Sequence, residues 1–296
     1  MLPQIQLGKT DIRISRLGLG TVKLGRNQSV KYPEAFELPS DNDARQLLHC
    51  ARDYGINLLD TAPAYGISEE RLGYLLRGAR KEWVICTKAG EEFSRNYDGN
   101  EGAPNENASN EGTSNFNFEA GALRKSVERS LRNLRTDYLD IVLIHSDGND
   151  EHLIHHHQVL HTLSELKRAG WIRAFGMSTK TLEGGLICAQ EADVVMTTFD
   201  PAQEDDLALM QSCATHKTGV LLKKIFNSGH LLTQDHLIAE EDKNSKSVNA
   251  IIEKQMKVIF AQSAVNSAII GTLNCQHLRN NVQCALLGLA ENALLA

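Results

Sequence analysis

Four residues of complementary acid–base character close, or closely follow, short apolar runs. Asp60 ends the run in NLLDTAPAYG, Tyr65 follows five positions later, Lys88 ends WVICTK, and His145 ends DIVLIH. A free tyrosine has a pKa near ~10 and is too weak an acid at neutral pH. A neighbouring lysine cation lowers that value, and an aspartate paired with the lysine holds it charged and in place. A histidine can hydrogen-bond a carbonyl oxygen or relay a proton. No activated Ser or Cys nucleophile and no metal shell accompanies them. The set is suited to polarising and protonating a carbonyl, which calls for an external hydride source. Taken singly, each residue has a blander reading as a rim ion pair, so the elements that carry them must decide.

Those elements alternate between two periodicities. The runs ISRLGLG (14–20), INLLD (56–60), EWVICTK (82–88), DIVLIH (140–145), IRAFGMS (172–178), DVVMTTF (193–199), TGVLLKK (218–224) and NSAIIG (266–271) are too short for typical helices. They fit strands buried on both faces. Amphipathic stretches lie between them. In DNDARQLLHCARDYG, Ala44, Leu47, Leu48 and Ala51 share one helical face and Gly55 supplies the stop; in SEERLGYLLRG, Ser68 is the expected N-cap. Regular alternation implies parallel strands and right-handed crossovers. Eight such units in under 300 residues imply an α/β fold, a (β/α)8 TIM barrel occupying residues 1–296 as a single domain. An N-terminal β-hairpin (IQLGKTDIRIS) caps it. Residues 91–118, rich in Asn, Glu, Gly and Ser, read as a long mobile loop after the third strand. In a parallel barrel the C-terminal strand ends face the active site, so Asp60, Tyr65, Lys88 and His145 converge from three neighbouring strands.

Composition narrows the function classes. Hydrophobic residues make up 42% and charged residues 23% of the 296, as in ordinary globular proteins. A net charge of −6 argues against nucleic acid as the main partner. No segment approaches the roughly 20 apolar residues that cross a bilayer, and the start, MLPQIQLGKT, lacks the apolar core of a signal peptide. The six cysteines are scattered with no CxxC pair, which points to a reducing cytoplasm and to neither zinc nor disulfides. The histidines of HLIHHHQVLH (152–161) lack an acidic or Cys partner at ligand spacing and read as the solvated start of a helix.

The motifs LLDTAPAYG, CTKAG, DIVLIH, FGMS and AIIG, with HLRNN near the end, resemble those of the aldo-keto reductase superfamily, in family order over almost the whole chain. The resemblance implies Asp60, Tyr65, Lys88 and His145 as the catalytic tetrad, with Tyr65 as general acid in the reducing direction. It implies a nicotinamide dinucleotide lying across the barrel mouth without a Gly-rich fingerprint. Its implied contacts are Gly20 and Thr21 beneath the nicotinamide, Ser178 on the carboxamide and Phe199 stacked on the ring. Phe226, Ser228 and Gly229 would cover the pyrophosphate, with Lys223 or Lys224 adding charge. Gly271, Thr272, His277 and Asn281 match the adenosine end. The chain departs from the family pattern at Thr179, where Asn is usual, and at Met196, where Gln is frequent. The family as a whole implies NADP(H). NAD(H) stays possible, because Gly271, Leu273 and His277 stand where Lys or Arg usually grips the 2′-phosphate.

The expected activity is an oxidoreductase interconverting an aldehyde, ketone or aldose and an alcohol. The expected partner is that small molecule, with no nucleic acid or membrane, in a monomer or weak homo-oligomer. HSDGND (145–150) lacks the tryptophan that often walls the family's substrate pocket, which favours a polar substrate such as a sugar. The rival reading is a cofactor-binding regulatory or scaffold subunit of the same fold without significant turnover. The intact tetrad argues against it.

Overall fold

The computed structural model describes residues 1–33, 35–94, 112–232 and 245–295. All eight apolar runs form strands of one closed, wholly parallel barrel. They are β3 (Leu17–Gly20), β4 (Leu58–Asp60), β5 (Val84–Ala89), β8 (Leu139–His145), β9 (Ile172–Ser178), β10 (Val194–Thr197), β11 (Gly219–Leu222) and β12 (Val265–Ile270). Their spatial order follows the chain, and β12 pairs with β3 to close the ring. Closure removes both sheet edges, and helices cover the outside, so each strand is apolar on both faces.

The helices follow the periodicity. Helix α2 (Asp41–Asp53) buries Ala44, Leu47, Leu48 and Ala51, and the Ser40 side chain caps it by accepting from the Asp43 amide. Gly55 follows at φ +86°, where a left-handed residue is needed. Helix α3 (Ser68–Leu75) differs from expectation at its start. Ser68 is its first residue, not its cap, and its buried hydroxyl donates to the Thr21 carbonyl at 3.0 Å. The hydroxyl therefore ties the helix to the end of β3.

The N-terminal strands β1 (Gln4–Gln6) and β2 (Arg13–Ser15) form the expected antiparallel hairpin. Leu7, Ile12 and Ile14 join Leu58, Cys86, Ile141, Leu143 and Leu221 in one buried cluster inside the barrel. The hairpin is thus a plug as well as a cap.

The segment after β5 departs from a simple loop. Its two ends, β6 (Glu91–Ser94) and β7 (Thr113–Phe116), pair antiparallel in the register Glu91 with Phe116 through Ser94 with Thr113. Backbone pairing requires no apolar composition, so the Asn- and Glu-rich sequence hid this ribbon. Residues 95–111, the middle of the expected loop, lie outside the described residues. The other helices are α1 (Val22–Gly25), α4 (Ala120–Asn133), α5 (Asp150–His155), α6 (Val159–Arg168), α7 (Leu182–Glu191), α8 (Glu204–His216), α9 (Ser245–Phe260) and α10 (Cys275–Leu295). None among the described residues is long and apolar enough to cross a membrane.

Candidate active site

The four acid–base residues meet at the C-terminal mouth of the barrel. Asp60 ends β4, Lys88 lies one residue before the end of β5, and His145 ends β8. Tyr65 ends a single 3-10 turn, Pro63–Tyr65, directly after β4. Pro63 presets the φ of that turn. Gly66 then reverses the chain at φ +61°, with the Gly25 carbonyl 2.4 Å from where its Cβ would stand. Only glycine fits there, and the tight crossing fixes where the Tyr65 ring points.

Lys88 Nζ donates to Asp60 Oδ1 at 2.5 Å, to the Thr61 carbonyl at 2.9 Å and to the Tyr65 hydroxyl at 3.1 Å. Tyr65 OH lies 3.4 Å from Asp60 Oδ2. The His145 ring stands edge-on to the Tyr65 ring with centroids 6.2 Å apart. Asp60 and Lys88 are buried, and a buried charge persists only when paired and hydrogen-bonded. Burial alone would pull Lys88 down, but Asp60 and Tyr65 outweigh it and hold the ammonium above its ordinary pKa.

Tyr65 corrects the expectation that the lysine makes it more acidic. Burial and then Asp60 raise it, and Lys88 only partly offsets them, so its pKa lies above that of a free tyrosine. The phenol therefore keeps its proton throughout the neutral range. Desolvation penalises the phenolate before a single cation can help it.

Glu91, at the start of β6, opens the polar stretch that reads in the sequence as a loop. Its Oε2 lies 2.9 Å from His145 Nδ1, though off the ring N–H axis, since that nitrogen has no well-aligned partner. Burial and Lys88 lower the His145 pKa while Glu91 opposes them. Glu91 itself lies at about 2, because His145, Ser114 and Arg26 outweigh its burial. Glu91→Gln removes the opposing charge and should shift the His145 titration to lower pH. Histidine ring resonances followed by NMR across pH would show this; an unmoved titration would mean Glu91 does not act on the ring.

The residues expected at a dinucleotide fall into two groups. Gly20 ends β3, and the adjacent Thr21 is buried, with both its amide and its hydroxyl donating to the Asp60 carbonyl at 2.9 Å. Thr21 thus holds Asp60 in place. Ser178 ends β9, and its hydroxyl accepts from Lys223 Nζ at 2.8 Å. Ser228 and Gly229 adopt φ +56° and +97° in the turn after β11, with Phe226 half-buried just before them. Phe199 is half-buried against the apolar layer between barrel and helices. On the far side, the Thr272 hydroxyl accepts from the Asn274 amide at 3.0 Å. Asn281 donates to the His277 carbonyl at 2.8 Å, one turn back in α10.

Tyr32 and Pro33 also stand at the mouth. A Cβ on Gly271 would lie 3.5 Å from the Tyr32 hydroxyl, and one on Gly229 would lie 3.5 Å from Pro33. The segment after α1 therefore spans the mouth between the ends of β11 and β12. Nothing in VKYPEAFELP announces this, because an aperiodic Pro-containing stretch carries no pattern.

These residues fit a nicotinamide dinucleotide in three respects. The Cβ positions of Gly271 and Gly229 meet no main-chain atom within 4 Å. The buried Asn281 Oδ1 has no partner. Burial and then the neighbouring cations lower both Lys223 and Lys224 at the mouth, a charge excess that an anion relieves. Among the described residues no group of three or more His, Cys, Asp or Glu can hold a metal ion.

The profile of the Aldo/keto reductase family matches residues 16–218. The crystal structure of a Pseudomonas aeruginosa protein assigned as an aldo-keto reductase superposes with a TM-score of 0.78 at 42% identity, covering 97% of this chain and 95% of that one. The uncharacterized oxidoreductase YqkF of Bacillus subtilis is 26% identical over 309 residues, 95% of this chain and 90% of its own. D-threo-aldose 1-dehydrogenase of a Pseudomonas species is 26% identical over 242 residues, 74% and 68% of the respective chains.

Proposed function

Because this chain belongs to the Aldo/keto reductase family, we propose that it interconverts a carbonyl and an alcohol with NAD(P)(H), using Tyr65 as the general acid in reduction. The observation that carries the reading is the chain from buried Asp60 through buried Lys88 to the hydroxyl of half-buried Tyr65, at 2.5 and 3.1 Å. When bound, the dinucleotide supplies or accepts hydride. The protein positions the carbonyl and manages its proton. Lys88 fixes the phenol, and Asp60 keeps Lys88 charged and stationary. His145, its pKa lowered, is neutral at physiological pH, and in the tautomer protonated on Nε2, the nitrogen away from Glu91, it can donate a hydrogen bond to the carbonyl oxygen. Tyr65 then protonates the oxygen as negative charge develops on it.

NADP(H) is favoured by the family's general habit. NAD(H) is left open by Gly271, Leu273 and His277, which put no permanent cation at the adenosine end. An aldose is the favoured substrate, supported by the likeness to D-threo-aldose 1-dehydrogenase. The motif HSDGND supports it less than its composition implies. Ser146 donates to Asp150, whose other oxygen accepts from the Lys180 and Thr181 amides at 2.7 and 2.9 Å. These two polar groups hold the loop and do not offer themselves to a sugar.

Fluorescence titration with NADPH and NADH, followed by a panel of aldehydes and aldoses, tests the reading. Tight binding of one dinucleotide with turnover is the expected result. Binding without turnover would return weight to a regulatory subunit, and no binding of either would overturn the proposal.

A further inference from the structure

We infer that Lys223 biases the site toward the reduced dinucleotide, by placing a positive charge beside the position where Ser178 would receive the nicotinamide. The inference rests on the reading of Ser178 as the carboxamide contact.

Lys223 directly follows β11, where its amide donates to the Thr197 carbonyl at 2.8 Å. Its side chain crosses the end of β10 to reach β9. There Nζ donates to Ser178 Oγ at 2.8 Å and to the Thr179 carbonyl at 2.9 Å. An ammonium has three donors, so one remains for a ligand at that spot. The two positions where the family usually offers an amide hold Thr179 and Met196, and Met196 is buried inside the barrel. The amine is the strong donor beside the Ser178 hydroxyl.

The surroundings leave this charge uncompensated. It faces Lys224 next in the chain, Lys88 on β5, His145 at the end of β8, Lys180 after β9 and Asp150 at the start of α5. Lys88 is paired with Asp60. Asp150, the one acid in the set, already accepts from Ser146, the Thr181 hydroxyl and the amides of residues 180 and 181. Burial, then Lys224, Lys88 and Lys180, bring Lys223 down to about 7. It is charged in mildly acid solution and neutral in mildly alkaline solution.

The oxidised nicotinamide ring carries a formal positive charge and the reduced ring none. A fixed cation beside it repels only the oxidised form, and the low local dielectric strengthens that repulsion. The two oxidation states therefore differ in affinity, with the reduced form tighter, so the reduced dinucleotide fills the site preferentially from a mixed pool. A residue that merely braced β9 against β11 would move both affinities together.

The test is the ratio of dissociation constants for the oxidised and reduced forms of whichever dinucleotide binds. It is measured by calorimetry at pH 6 and pH 8.5 on the wild type, Lys223→Met and Lys223→Arg. Lys223→Met should shift the ratio toward the oxidised form by about tenfold at pH 6, and Lys223→Arg should keep the wild-type pH 6 ratio at both pH values. In the wild type the ratio should narrow as pH rises through 7, and in Lys223→Met it should stay flat. An unchanged ratio in Lys223→Met, or equal weakening of both forms, would overturn the inference while leaving the proposed function intact. A wild-type ratio independent of pH would overturn it without any variant. If the wild type binds neither form, the proposed function fails and this inference with it.

Discussion

Tyr65→Phe is expected to reduce kcat for carbonyl reduction by about 10²–10⁴-fold, the usual contribution of a positioned general acid, with dinucleotide affinity unchanged. The substitution removes one oxygen and keeps the ring, so the edge contact with His145 and the tight crossing at Gly25 and Gly66 survive. Lys88 loses one of three hydrogen bonds but keeps those to Asp60 and the Thr61 carbonyl. The fold should therefore persist. The raised pKa of Tyr65 sharpens the prediction. A phenol that stays protonated is a ready donor to a developing alkoxide, whereas serving as base in alcohol oxidation first requires forming a buried phenolate next to Asp60. Wild-type alcohol oxidation should accordingly gain rate as pH rises, while reduction does not. Circular dichroism and dinucleotide titration establish that the variant is intact, and steady-state kinetics give the loss. Near-normal turnover in Tyr65→Phe would sink the proton-donor role.

The barrel was legible because a wholly parallel closed sheet leaves every strand buried on both faces. INLLD, DIVLIH and the other runs carry that signature in a few residues each. The meeting of Asp60, Lys88 and His145 was legible for the same reason, since a polar residue terminating such a run can only stand at the mouth. What escaped depended on three-dimensional proximity. Glu91 reaches His145 through a ribbon held by backbone pairing, whose Asn- and Glu-rich sequence resembles a solvated loop. Tyr32 meets Gly271 across more than 200 positions of chain. The direction of the Tyr65 shift could not be read from residue types, because the lysine's influence was visible in the sequence and the depth of burial was not. Ser68 shows the converse. Its type and position fit a helix cap, but the packing of α3 against β3 gave its hydroxyl a better acceptor on Thr21.

Lys88→Met should affect stability as well as chemistry, and the two effects can be separated. Lys88 and Asp60 form a buried pair, with side chains only 2% and 7% exposed. Removing one partner of such a pair typically costs about 3–5 kcal/mol, because the other charge is left desolvated and unpaired. A methionine fills most of the space but offers nothing to Asp60 Oδ1 or to the Thr61 carbonyl. Turnover should fall at least as far as in Tyr65→Phe, because the phenol loses both its anchor and a cationic neighbour within hydrogen-bond reach. Adding Asp60→Asn to Lys88→Met removes the stranded charge. The double variant should then recover part of the lost stability, measured by urea denaturation, and none of the activity. Such non-additivity is the mark of groups that touch. Additive losses would mean that the two side chains act independently, and a Lys88→Met protein as stable as the wild type would mean that the pair is not buried as described. Recovery of turnover in the double variant would be the more consequential failure. It would show that the lysine serves the fold alone, and that the proton reaches the substrate oxygen without it.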